Sequence, residues 1–144
     1  MEQFITKHEV ATRGRGLVDV TAPIVSWVKD RNISTGLLTV FIQHTSASLV
    51  IQENADGDVL RDLESFFKRL VKDGDPDFFH VLEGPDDMSA HIRCALTQTQ
   101  LSIPVVGGRP CLGTWQGIYV YEHRTHPHRR SLVLHLLGEC VVTP

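Results

Sequence analysis

Apolar and polar residues alternate along "QFITKHEV" (3–10) well enough to predict a first strand, and "RGRG" (13–16) is the turn that closes it. Thr21 and Pro23 mark a helix start, with Ile24, Trp27 and Val28 on one face and Asn32 near its end. "GLLTVFIQ" (36–43) is an apolar, β-rich run ending at His44, and "LVIQ" (49–52) is a second short strand after "HTSAS". Behind a cap at Asp56 or Asp58, Val59, Leu63, Phe66 or Phe67, and Leu70 recur at helical spacing. "KDGDPD" (72–77) breaks that helix. "FFHVL" (78–82) predicts a short strand, and the aspartates of "EGPDD" (83–87) can cap the helix "MSAHIRCAL" (88–96). The rest predicts β structure: "LSIPVV", the turn "GGRP", the long strand "LGTWQGIYVYE" (112–122), a polar turn, and "SLVLHLLGE" (131–139).

This pattern implies one α+β domain over residues 1–144, strand-rich, with a mixed or antiparallel sheet and about three helices. The last strand is apolar on both faces, so it belongs in the middle of a sheet or under a subunit interface. At 42% hydrophobic and 22% charged, the composition is ordinary for a globular chain. A net charge of −3 excludes a non-specific nucleic-acid binder, which needs a basic surplus. No apolar run has the roughly 20 residues that cross a bilayer, and "MEQFITKHEV" is not a signal peptide. Cys94, Cys111 and Cys140 form no CxxC pair and read as reduced thiols, which places the chain in the cytoplasm.

Chemistry is concentrated in the histidines. His44 ends one strand, His80 lies in or beside another, and His91 shares a helix face with Met88 and Ala95. Three neutral imidazoles make a divalent-metal shell with an open position, although three structural histidines with local partners fit the same spacing. Thr45, Ser46 and Ser48 could hold a phosphate or cap local backbone. Glu53 follows an apolar strand and is a candidate acid or base. On the strand 112–122, Thr114, Gln116, Ile118, Val120 and Glu122 share one face, and Trp115, Gly117, Tyr119 and Tyr121 the other. Arg129 or Arg130, where the last strand begins, is a candidate anion clamp.

"HTSAS…IQENAD", "FFH", "SAHIRCAL" and "LGTWQGIYVYEHR…RR" together resemble the YjbQ-like family, described as secondary thiamine-phosphate synthases. The resemblance runs over nearly the whole chain, and the Gly-Thr-Trp-Gln block is its most specific element. It implies a compact α+β protein that assembles as a homotrimer, with a divalent metal in a cleft. Carried over by position, His44, His80 and His91 become the metal ligands. Glu53 and Glu122 become catalytic, and Thr45, Ser46, Gln116 and Arg129 contact the substrate. The implied reaction joins a pyrimidine methyl pyrophosphate to a thiazole phosphate and releases pyrophosphate. Histidine ligands suit zinc, whereas magnesium would enter with pyrophosphate and prefers carboxylates and water. No DDxxD-like cluster is present, so the transferase activity would be a side activity of the site. A metal-containing binding module for a phosphorylated small molecule, and a hydrolase with Glu53 as base, are the alternatives.

Overall fold

The period-2 alternation of the first strand recurs in several later segments, and the computed structural model, which describes residues 1–140, assembles the strands into two antiparallel sheets. In chain order the elements are β1 (Glu2–Ala11), β2 (Gly16–Asp19), α1 (Thr21–Lys29), β3 (Ile33–Ile42) and β4 (Ala47–Glu53). Then follow α2 (Gly57–Leu70), α3 (Asp87–Leu96), β5 (Gln100–Val106), β6 (Arg109–Pro110), β7 (Gln116–Glu122) and β8 (Arg129–Cys140). One sheet has the order β1-β8-β3-β5-β6 and the other β2-β7-β4. Every strand pair is antiparallel, which removes the mixed-sheet alternative and leaves the α+β class with three helices.

The core is one cluster. Leu38, Val40 and Ile42 of β3 and Leu132, Leu134 and Leu136 of β8 are buried with Leu49 of β4, Ile118 and Val120 of β7, and Ile24 and Val28 of α1. The apolar last strand lies inside its sheet, between β1 and β3. Its second face is uncovered: Leu137 lies across from Leu37, and Val133 from Phe41, with both partners on β3 more than two-fifths exposed.

Two predicted strands differ. "FFHVL" is a loop. Gly74 donates its N–H to the Pro85 carbonyl at 2.9 Å, which closes residues 74–85 into an Ω-shaped excursion. Inside it Asp75 accepts from the Asp77 N–H through its side chain and from the Phe78 N–H through its carbonyl, so a local turn replaces strand pairing. The strand predicted over 112–122 begins only at Gln116, and Trp115 is 61% exposed before it. From Gly117 to Glu122 both faces of β7 are buried. In β7, every second residue faces either the main core or α2, where Phe67 meets the Tyr121 ring edge-on at 5.7 Å.

Candidate functional site

The helix α3 carries Asp87 in its first turn and His91 one turn later, a spacing that puts both side chains on one face. The closed loop before it returns His80 to the same place. His80 Nε2 is 2.6 Å and His91 Nε2 is 3.2 Å from Asp87 Oδ2. The three donor atoms lie within 4.8 Å of one another. Ligands bonded at about 2.0–2.1 Å in a tetrahedral zinc shell would stand roughly 3.3 Å apart, so this set fits a small divalent ion after a slight opening.

The proton positions sharpen the fit. A carbonyl only accepts, so His91 Nδ1, 2.8 Å from the Thr45 carbonyl, carries hydrogen. In the neutral ring Nε2 then presents a lone pair to the Asp87 carboxylate. Two electron-rich atoms at 3.2 Å require a cation between them or a second proton on the ring. Asp87 itself is 4% exposed; burial alone would raise its pKa, but the hydrogen bond from His80 and the nearby Arg124 charge hold it below the usual carboxylate range. Its other oxygen, Oδ1, is 2.9 Å from Arg124 Nη1.

His44 does not join this cluster. Its Nε2 accepts the Ser131 N–H at 2.8 Å, so the neutral ring is protonated at Nδ1, which stands 3.3 Å from Arg130 Nη1. Burial, reinforced by the Arg130 charge, pushes its pKa down. Asp87 stands where the sequence placed a third histidine. It was read as a cap, although an acid four residues before a histidine on a helix was the available signal.

His44 instead lines a cleft of ≈ 500 Å³ with Thr45, Ser46 and Thr99. Because Thr45 also receives the His91 N–H, the cleft begins beside the His80–Asp87–His91 cluster. Of the two arginines offered as an anion clamp, Arg129 is the solvent-facing one and Arg130 the enclosed one. Arg129 is exposed at the start of β8, opposite Ala11. Arg130 is buried and paired with Glu122 through Nε and Nη2, and its Nη2 also bonds Ser46, which leaves Nη1 beside His44. Ser46 Oγ therefore serves Arg130, and Ser48 is buried against His123 at 2.7 Å, so these hydroxyls hold the fold together.

Neither glutamate reaches the site as a free acid or base. Glu122 is fully buried; burial would raise its pKa, but hydrogen bonds from Arg130 and Thr12 and the Arg130 charge keep it ionised. Glu53 accepts the Ala55 N–H at 3.1 Å and so organises the entry to α2. In the β4–β7 register Ala47 faces Glu122 and Glu53 faces Gln116, six residues on, so the two glutamates stand roughly 20 Å apart. Gln116 folds back to accept the Gly113 N–H at 2.8 Å and shares the far end with Glu53.

A small antiparallel α+β fold with a His–Asp–His cluster beside a cleft defines a protein with a candidate divalent-ion site. The chain belongs to the family described as UPF0047 protein YjbQ-like, whose pattern matches residues 6–139. It is 52% identical over 130 residues to the UPF0047 protein sll1880 of Synechocystis, covering 90% of this chain and 88% of that one. With the UPF0047 protein YjbQ of Escherichia coli it shares 42% over 131 residues, covering 90% and 94%. A hypothetical protein of Aeropyrum pernix superposes with a TM-score of 0.82 at 33% identity, covering 96% of this chain and 100% of its own. An uncharacterised yjbq/upf0047 protein of Clostridium acetobutylicum does so at 0.84 and 32% identity, covering 92% and 99%.

Proposed function

We propose that this protein is a divalent-ion-dependent enzyme acting on a phosphorylated small molecule, with His80, Asp87 and His91 holding the ion beside the Thr45 cleft. The observation that carries this reading is the His91 ring. Its proton is committed to the Thr45 carbonyl, and its lone pair faces a buried carboxylate. Two imidazoles and one carboxylate suit zinc better than magnesium.

The resemblance supplies the reaction: a pyrimidine methyl pyrophosphate is joined through its methylene carbon to a thiazole phosphate, and pyrophosphate leaves. A departing pyrophosphate needs positive charge, and a bound ion supplies it. Arg130 does not, because its charge is already neutralised by the buried Glu122 carboxylate, which it bonds through Nε and Nη2. What this chain contributes is binding and orientation. Thr45 fixes the His91 ring, Arg124 fixes Asp87, and His44, neutral and walled by Arg130, borders the cleft. Removal of Glu53 and Glu122 from the site weakens the hydrolase reading and favours, as the second reading, a non-catalytic holder of a phosphorylated ligand.

The protein works as a homotrimer, and the outer face of the larger sheet, with Ile5, Leu37, Phe41 and Leu137 exposed, is the surface available for assembly. No described helix is long and apolar enough to cross a membrane, and Cys94, Cys111 and Cys140 are unpaired, which fits the cytoplasm.

Element analysis of the purified protein and turnover of the two thiamine precursors, each against His91→Ala, test the proposal. Stoichiometric metal with turnover above that control supports the enzyme. Metal without turnover selects the holder, and absence of metal after dialysis into zinc removes both.

A further inference from the structure

Arg124, which the sequence did not single out, is the group that sets the charge of the cluster. Its Nη1 is 2.9 Å from Asp87 Oδ1. Its Nε donates to Asp86 Oδ2 at 2.9 Å and its Nη2 to the Glu83 carbonyl at 2.9 Å. All three nitrogens point into protein, and the side chain is only 12% exposed. Asp86 is equally enclosed, and also accepts from the Thr125 N–H and hydroxyl. Two buried carboxylates and one guanidinium therefore form a single triad with one net negative charge. The Glu83 carboxylate is in solvent, where salt screens it.

We infer that Arg124 makes the ion site anion-seeking, an inference that rests on the ion-holding role of His80, Asp87 and His91. With neutral imidazoles, a divalent ion on this triad keeps one uncompensated positive charge. Asp86, Asp87 and Arg124 form the enclosed inner wall of the site while His80 and His91 stay partly exposed, so that charge is met by an anionic ligand at the open, solvent-facing position. Arg124 does this without touching the ligand. It also holds Asp87 by one oxygen, so that only Oδ2 faces the ion position, which makes Arg124 a positioning residue.

The triad arithmetic orders four proteins. Asp86→Asn leaves the triad neutral and the ion with its full charge. The double variant Asp86→Asn/Arg124→Met keeps one negative charge, as the wild type does. Arg124→Met carries two and cancels the ion. Cobalt(II) binding to the full chain, measured by calorimetry and visible absorption with and without inorganic phosphate, reads the coupling directly. Phosphate should tighten cobalt binding by about tenfold in the wild type and in the double variant, more in Asp86→Asn, and by less than about threefold in Arg124→Met. Equal coupling in all four, or none in the wild type, overturns the inference while leaving the ion site standing. Failure of the wild type to bind cobalt sinks the ion site itself. If Arg124→Met does not fold, Asp86→Asn decides alone: coupling at or below the wild-type value refutes the charge rule.

Discussion

His91 donates its Nδ1–H to the Thr45 carbonyl at 2.8 Å, and this one bond joins the helix that carries Asp87 and His91 to the loop that lines the cleft. It separates the histidines into two roles. His80→Ala, His91→Ala and Asp87→Asn should each lose bound metal, because each removes a donor or its charge. His44→Ala should keep stoichiometric metal, because its Nε2 is occupied by the Ser131 N–H. Metal analysis after dialysis of the four variants checks this. Loss of metal from His44→Ala with retention in Asp87→Asn would restore the three-histidine shell.

Trp115 and Ile118 lie three residues apart and differ sharply in burial. Trp115 is mostly exposed ahead of β7, whereas Ile118 is completely buried in the core. Trp115→Ala should shift the unfolding free energy by no more than about 0.5 kcal/mol, the usual scale for a surface change. Ile118→Ala should cost about 2–5 kcal/mol through the cavity it leaves. Urea denaturation of both measures the difference, and comparable losses would mean that Trp115 is covered in the protein as it exists in solution.

How much of this was legible in the sequence depends on the range of the interaction. The strands with clear period-2 alternation, the Asp56 cap of α2 and the helix at 88–96 follow from local pattern, and the structure has them. "FFHVL" misled because its composition fits a strand, while the backbone partners that decide the matter belong to Gly74 and Pro85 outside it. His80 and His91 do lie side by side, although their spacing in the sequence left this open. Their third partner was hidden because Asp87 sits where a capping acid also belongs, and Arg124 reaches it from 37 positions away in sequence. Glu53 and Glu122 looked alike as residue types. Only the strand register, a long-range property, places them at opposite ends of β4 and β7.

Leu37 and Leu137 face each other across β3 and β8 on the uncovered side of the larger sheet. Leu37→Glu should leave the fold intact, since that side chain is 43% exposed in the single chain, but should dissolve an assembly that covers it. Light scattering should give a three-chain mass for the wild type and a one-chain mass for the variant. A wild type that is monomeric across micromolar concentrations removes the trimer, and a trimeric variant moves the interface elsewhere.

His123 is buried with Nε2 on Ser48 Oγ at 2.7 Å and its Nδ1 without a partner among the described residues. Burial first, then the charges of Arg93, Arg15 and Arg130, push its pKa down to about 3. The unfolded chain binds a proton there at an ordinary value near 6.5, and the folded chain does not. Stability from this group is therefore fully present above pH about 6.5 and falls as pH drops toward about 3, by about 1.4 kcal/mol per pH unit. His44, also depressed by burial and Arg130, adds to the slope in the same direction. The carboxylates Asp87 and Glu122, held low in the fold, lose their contribution only at more acidic pH, as they protonate. Between pH 6.5 and 4.5, His123→Gln should thus show a shallower loss of stability than the wild type, by about 1.4 kcal/mol per pH unit. Urea denaturation at three pH values in that window measures both slopes. Identical slopes would mean that His123 takes up its proton in the folded protein, and that the Ser48 contact survives its charging.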